Sequence, residues 1–350
     1  MKYFALLFFS LSSLSSLASY SLKESYSLFK DKSFIDNRLH VGIYESFIEV
    51  DLNLTSDAYL LSEDLSEIGG NSSSSTDKAL QVSNLLNENR NSQNFIDLNS
   101  SIALPIRTLI YKKYRITPTL FYNLDLSSMF AIAEFDGASD LSAQVYMRKE
   151  TRVGASFIIT KKRNKESLLK FNLFYMKKAD TLINQTASDL VNNKKFYDFG
   201  TLNQGETSVA LDLIWKTTNL SRTLKFEVID LKLITLKTDR DLVIKNSTLF
   251  HTFYQYHTVS LKKYWFEYFI GSHYRSDYTI VDGLYIGTWL KLTNHPFRTS
   301  VSLSKQFLTF TPEYKRKNFF FNYKLKYSHL GDIDGISSPP IHSFNSGMTF

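Results

Sequence analysis

"NFFFNYKLKYS", residues 318–328, separates into two strips when every second residue is taken. Phe319, Phe321, Tyr323, Leu325 and Tyr327 form one strip, and Asn318, Phe320, Asn322, Lys324 and Lys326 form the other. A period of two is the signature of a β-strand, whose side chains point alternately to opposite faces. One strip is wholly apolar or aromatic and the other is mostly polar. The strand therefore separates an oily environment from a wet one.

The same rhythm runs through most of the chain. "GLYIGTWLKLT" sets Leu284, Ile286, Thr288, Leu290 and Leu292 against Tyr285, Gly287, Trp289 and Lys291. "SVALDLIWKT" sets Val209, Leu211, Leu213 and Trp215 against Ser208, Ala210, Asp212, Ile214 and Lys216. "KKYWFEYFIG" sets Tyr264, Phe266, Tyr268 and Ile270 against Lys263, Trp265, Glu267 and Phe269. In the stretch before residue 55, Tyr44, Ser46, Ile48, Val50, Leu52 and Leu54 share a face long enough to cross a bilayer. A secreted β-sandwich would also alternate. Candidate strands of about 11–14 residues exceed the soluble mode of about 5–6. Aromatics such as Tyr264, Trp265 and Tyr327 stand at strand ends, where a membrane barrel carries its aromatic girdle. These features favour the barrel.

Composition agrees. The 28 Phe and 21 Tyr bring aromatics to 15%, while charged residues make up 21%. There is no cysteine, which excludes a disulfide framework and thiolate metal sites. Beyond the N-terminal region no apolar run approaches the ~20 residues of a spanning helix. The opening "MKYFALLFFSLSSLSSLAS" has Lys2, a short apolar run from Tyr3 to Leu11, and small residues up to Ser16-Leu17-Ala18. That layout predicts a signal peptide over 1–18, cut after Ala18, with a barrel domain over 19–350.

The chain ends in "IHSFNSGMTF", residues 341–350. Phe344, Ser346, Met348 and Phe350 share one face, and the last residue is aromatic. This resembles the terminal insertion signal of bacterial outer-membrane β-barrel proteins. The resemblance implies that Phe344, Met348 and Phe350 are read by the outer-membrane assembly machinery. Ser346 and Met348 depart from it, standing where an apolar and an aromatic residue are usual.

Candidate strands lie near 39–54, 101–112, 115–125, 128–135, 141–149, 151–161, 167–178, 206–217, 222–235, 247–257, 259–271, 280–292, 297–309, 317–328 and 342–350. That is fifteen, whereas a single-chain bacterial barrel has an even number and both ends on the periplasmic side. Long connections belong outside. Counting forward puts 55–100 and 179–205 outside, with the turns at Lys113, 162–165 and 219–222 inside. Counting back from Phe350 puts 329–341 outside and reverses the earlier sides. The parity error then falls between about 205 and 329, or within 179–205, and the expected total is about fourteen strands, within 12–16.

Segment 55–100 is of another kind. "SDAYLLSEDLSEIGG" and "STDKALQVSNLLNENRN" read as helices joined by a Gly/Ser linker. In the second, Thr76 is placed to cap, and Ala79, Leu80, Val82, Leu85 and Leu86 form an apolar stripe. The insert is expected as an extracellular cap or as a plug in the lumen.

Chemistry is sparse. His342-Ser343-Phe344-Asn345 and His273-Tyr274-Arg275-Ser276 carry the letters of an outer-membrane lipid hydrolase motif in the wrong order. His251 and His257 share a strand face but stand about 20 Å apart by the rise per residue, too far to share a metal. Asp332 and Asp334 in "GDIDG" lack the further spacing of a calcium loop. No nucleotide or cofactor motif is present, so no cofactor is expected. The net charge of +7 is spread over strand ends, without a compact nucleic-acid element. Basic rims suit lipopolysaccharide phosphates or an anion-favouring pore.

The sequence thus predicts an all-β transmembrane antiparallel barrel with a short helical insert, in the outer membrane of a Gram-negative-type bacterium. Its partners would be outer-membrane lipid and lipopolysaccharide, with no nucleic acid. Its expected function is a non-enzymatic pore or facilitator for small or hydrophobic solutes. By parity Asp212, Lys263, Trp265, Glu267, Trp289, Lys291, Asn322, Lys324 and Lys326 would line the lumen. The alternatives are a structural or adhesive barrel without transport, and an outer-membrane hydrolase.

Overall fold

A computed structural model describes residues 26–30, 46–70, 72–90, 92–133, 142–161, 167–186, 202–245, 247–257, 264–292, 295–329 and 339–350. The expected signal peptide, Lys263, Asp332 and Asp334 lie outside the described residues. Among the described residues there are fifteen strands and two longer helices, besides a helical stretch at 26–30. The first strand, β1 (Phe47–Thr55), leads into α1 (Ser56–Gly70) and α2 (Ser75–Glu88). Then come β2 (Gln93–Pro105), β3 (Leu109–Tyr111), β4 (Tyr114–Ala133), β5 (Ser142–Lys161) and β6 (Ser167–Thr186). They are followed by β7 (Glu206–Thr218), β8 (Arg222–Thr238), β9 (Leu249–His257) and β10 (Tyr264–Tyr274). The last are β11 (Leu284–Leu292), β12 (Phe297–Ser304), β13 (Phe307–Arg316), β14 (Phe319–Ser328) and β15 (Ile341–Thr349). Among the described residues no helix is long and apolar enough to cross a membrane.

All strands belong to one antiparallel sheet that closes on itself. β1 pairs with β15 from Phe47↔Thr349 to Thr55↔Ile341, and β2 joins β1 to β4. The closed wall holds fourteen strands, because β3 continues the edge of β2 along β4 after a break at Pro105. Proline has no N–H for the ladder. One residue past the break, Ile106 donates to the carbonyl of Pro118 at 2.9 Å.

The fifteen candidate strands reduce to fourteen by three specific corrections. Segments 115–125 and 128–135 are the single strand β4, and 141–149 and 151–161 are the single strand β5. Both false breaks fall where an inward row carries Asp125 and Ser127, or Arg148, Glu150 and Arg152, so a wet inner face was read as turn. The third correction is a hairpin inside 297–309, between β12 and β13. Its turn contains no Gly, Pro, Asn or Asp, the usual turn signals. Ser304 substitutes for them, its hydroxyl accepting from the Phe307 N–H at 3.1 Å. This hairpin sets the parity right, and it lies in the 205–329 interval where the sequence requires the error.

Two ends of the barrel follow from the topology. The end holding Phe47 and Thr349 carries the short turns, such as Lys112–Lys113 and Lys317–Asn318. The opposite end carries the long connections 56–92, 187–205, 239–248, 275–283 and 329–340. At that far end β4, β5 and β6, each 20 residues long, rise well above the 8 to 11 residues of β9 to β15. The helices pack on the outer side of this tall wall, outside the lumen. Ala58, Leu61, Val82, Leu85 and Leu86 bury against Phe130, Ile132, Val145, Met147 and Ala179, all outward-facing positions. Leu80 of the expected stripe is instead exposed. The cap of α2 is Ser74 rather than Thr76, its hydroxyl accepting from the Asp77 N–H at 3.2 Å.

The rest of the outer face is apolar and uncovered. Val50, Leu120, Leu173, Leu213, Tyr268, Phe310, Phe321 and Phe344 all stand exposed on it. Near the short-turn end it carries ring pairs across hairpins: Phe157–Phe171 at 4.8 Å, Trp215–Phe226 at 5.5 Å and Phe297–Tyr314 at 4.9 Å. Closure, an even strand number and an aromatic-edged apolar exterior make the chain an outer-membrane-type β-barrel.

A charge on that exterior should be costly. Phe310→Arg, mid-strand on β13, is expected to lower the folding free energy in lipid vesicles by about 2–4 kcal/mol, the range for arginine at the bilayer midplane. A denaturant midpoint unchanged from the parent protein would show that this face does not meet lipid.

Candidate functional site: the charged lumen

Alternation sends every second residue of each strand inward, and the register aligns these residues into rows across the wall. One row runs Glu313–Asn322–Asn345–Asp51–Asn99–Asp125–Glu150–Lys178, each residue directly opposite the next. Cross-strand neighbours bond along it, Asn322 Nδ2 to Asn345 Oδ1 at 3.0 Å and Asn99 Nδ2 to Asp125 Oδ2 at 3.3 Å. An adjacent row brings together Asn53, Asp97, Ser127, Arg148 and Asp180.

Charges at this depth need partners, since leaving one unpaired costs far more than pairing it returns. Glu150 is buried and ion-paired on both sides, with Arg148 and Arg152. Arg152 also reaches Asp230 at 2.8 Å, and Arg275 reaches the other oxygen of Asp230 at 3.1 Å. Glu227 takes Lys225 at 2.8 Å and His251 at 2.6 Å, and His251 in turn bonds the Tyr285 hydroxyl at 2.8 Å. Glu313 takes Arg298 at 2.6 Å.

Asp230 reaches its partners only through a bulge. The β7–β8 register slips between Leu211 and Leu213, and Asp230 has a φ of 60°, left-handed for a residue with a Cβ. Its N–H donates to Asp212 Oδ1 at 2.9 Å, holding the strained backbone while the carboxylate turns inward between two arginines.

The lumen has two unlike halves. Along β8 to β11 it is filled by Ile229, Leu249, Phe253, Phe269, Tyr285 and Trp289. The Tyr285 ring lies flat over Gly271, where any Cβ would collide with it. Along β1, β2 and β4 to β8 a cavity of about 190 Å³ remains, lined by eight acidic and eight basic side chains among others, some of them on the far-end connections. Glu49, Asp51, Asp97 and Asp125 make its acidic wall on β1, β2 and β4. Arg148, Arg152, Lys170 and Lys178 make a basic wall on β5 and β6. From Phe47, Ala103, Thr119 and Lys170 at the short-turn end, the cavity runs to Lys245, Ser247 and Asp277 at the far end, passing Tyr26 and Lys30.

Those last two belong to a helical turn, Tyr26–Lys30, lying inside the barrel near the far end. Tyr26 is fully buried, 4.6 Å from the Tyr146 ring and 6.2 Å from Phe95. Phe29 packs on Phe95 and on Phe307, at 6.2 and 5.6 Å. The Lys30 ammonium donates to Asp97 at 3.3 Å, to Ser127 Oγ at 2.8 Å and to Asp125. Ser27 Oγ donates to Asp277 at 3.2 Å. The turn thus touches β2, β4, β5, β13 and a far-end connection, spanning the lumen.

The residues expected to line the lumen are placed as follows. Asp212, Trp289, Asn322, Lys324 and Lys326 are buried on the inner side. Glu267 is half-buried, bonded to Gln255 and His257. Trp265 and Lys291 share the inward parity but stand exposed at the short-turn mouth. Trp289 packs in the aromatic half, with Arg298 stacked on it at 4.5 Å, away from the cavity. Sequence reading missed the cavity's own charged residues Asp97, Asp125, Arg148 and Arg152, which border segments read as breaks or lie in the insert, and Asp230, whose facing in the strand 222–235 is changed by the bulge. It also missed Tyr26–Lys30.

The chemical motifs come apart. His342 bonds the Tyr323 hydroxyl at 2.7 Å, while Ser343 is buried on the opposite face, so the two cannot act as base and nucleophile. His251 and His257 each bond their own carboxylate, Glu227 and Glu267. Among the described residues there is no cluster of His, Cys, Asp and Glu able to hold a metal.

No protein-family model matches the chain, and no curated protein matches it. Among solved structures, a triple mutant of the Rhodopseudomonas blastica porin is similar at 6% identity and TM-score 0.33, the match covering 87% of this chain and 98% of the porin. CdiB from Acinetobacter baumannii is similar at 8% identity and TM-score 0.37, covering 87% of this chain and 60% of CdiB.

The Asp230 cluster gives a direct stability test. Asp230→Ala leaves Arg152 and Arg275 without that carboxylate, and is expected to cost about 3–5 kcal/mol, the range for breaking a buried pair from one side. Denaturant unfolding of the membrane-embedded protein measures it. A loss under about 1 kcal/mol would mean that the arginines are hydrated in the folded state.

Proposed function

We propose that the barrel resides in a bacterial outer membrane and passes small polar and charged solutes along the charged half of its lumen. The observation that carries this reading is the cavity lined by the acidic residues of β1, β2 and β4 and, beside them on the wall, the basic residues of β5 and β6. Acidic and basic side chains set side by side along one space orient ions and dipolar solutes. The aromatic half argues against a hydrophobic route, since Phe253, Phe269, Tyr285 and Trp289 fill their own space. Equal numbers of acidic and basic residues favour weak charge selectivity over the anion preference suggested by net charge.

On this reading the short-turn end, with Phe47 and Thr349, faces the periplasm, and the tall wall with its helices faces outward. The basic turns Lys112–Lys113 and Lys315–Lys317 then sit away from lipopolysaccharide, which would meet the far-end strands and α1–α2. Phe344 and Met348, exposed on the outer face of β15, and Phe350 beyond it would serve as the insertion signal.

Single-channel recording in a planar bilayer tests the proposal. Steady conductance is expected, and Glu49→Lys with Asp51→Lys should shift its selectivity toward anions. Replacing residues 58–90 by a short linker should leave conductance unchanged, because the helices lie outside the lumen. Residues 93–100 must stay, being part of β2. Silence from protein shown to be folded and inserted would overturn the pore in favour of a sealed structural barrel.

A further inference from the structure

We infer that Tyr26–Lys30 is a built-in plug, and that Lys30 is the latch holding it across the solute path. The inference deepens the pore reading and rests on it for the sign of the conductance change. The position of the turn supports a plug. It touches strands from separate parts of the wall and a far-end connection, and Tyr26, Ser27 and Lys30 line the cavity. Its chemistry supports a latch. Among the described residues the attachments of Lys30 are Asp97, Asp125 and Ser127, a single ammonium gathering two carboxylates and a hydroxyl from two neighbouring strands. Without that ammonium, two carboxylates would face one another across adjacent strands and repel.

The remaining contacts favour a movable segment over a structural one. Tyr26 and Phe29 hold the turn by ring packing on the wall and Ser27 by a hydrogen bond to Asp277. The turn takes no part in the strand ladders, so its departure breaks no wall hydrogen bond. The wall closes through β1, β2, β4 and β15 whether or not the lumen is occupied. Removing the latch should therefore free the plug without opening the barrel.

The chain has no cysteine, so one introduced thiol is a clean reporter. The full-length protein carrying Ser27→Cys is reacted with a small charged maleimide after folding into lipid vesicles. Leu220→Cys, at the fully exposed Leu220 in the β7–β8 turn, serves as the accessible control. The thiol introduced at position 27 should react at least ten-fold more slowly than the one introduced at position 220. Adding Lys30→Met should raise the rate at position 27 at least ten-fold, and Lys30→Arg should preserve protection. Asp97→Asn with Asp125→Asn should release it from the other side of the pair. Heat-modifiable gel mobility confirms folding of each variant.

Equal reaction of the thiols at positions 27 and 220 would overturn the plug, and needs no latch variant. Protection surviving in the folded Lys30→Met and double Asn variants would overturn the latch. Conductance is read in parallel and should rise with Lys30→Met. If labelling rises while every variant stays silent, the plug and latch stand and the pore reading fails.

Discussion

The whole architecture follows from one demand, that no backbone N–H or C=O be left bare where lipid replaces water. A sheet meets it only by having no edge. In this chain the seam is made by the first and last strands, paired over nine residues from Phe47↔Thr349 to Thr55↔Ile341. The irregularities elsewhere respect the same demand. The ladder interrupted after Pro105 resumes at Leu109 along the same partner. The Ser304 turn is closed by a side-chain hydroxyl. The bulged Asp230 N–H is met by Asp212.

Closure also fixes what the inside must be. The wall is one residue thick, so the alternation that greases the exterior with Leu, Phe and Tyr delivers polar residues inward at the same depth. Burying charges there is tolerable only when each has an opposite partner. In Arg148–Glu150–Arg152–Asp230–Arg275 and in Lys225–Glu227 each charge has one. The other half of the lumen solves the same problem with aromatic rings. A space remains in the half where charged side chains line the wall, and the Tyr26–Lys30 turn borders it with its own ammonium paired to Asp97 and Asp125.

How much of this was legible in the sequence depended on the range of each signal. Period two is local, so the strand faces around Phe319, Leu284, Val209 and Tyr264 could be read directly, and the parity rule located the missing hairpin. The breaks near 126 and 150 could not be avoided by local reading, because inward Asp125 or Glu150 carries the same letters as a loop. The helices of 56–88 were visible from their stripe, but not the wall they would cover, because Phe130, Ile132, Val145 and Met147 are as apolar as their lipid-facing neighbours. The site itself was the least legible. Asp97, Asp125, Arg152, Asp230 and Lys30 are far apart in the chain, and only the closed register makes them neighbours.

The unequal height of the wall makes the molecule lopsided. A bilayer is crossed by about 9–11 residues of tilted strand. On β9 to β15 little is left over, while β4 to β6 continue as a three-stranded fin whose outward side is shielded by α1 and α2. Lipid governs the sequence of the low side; helix packing governs the fin. The two regions answer to different solvents and can change independently. Among the described residues the far end is therefore bounded by a tall, helix-backed wall on one flank and by short strands on the other, so the two flanks offer different surfaces at the same height.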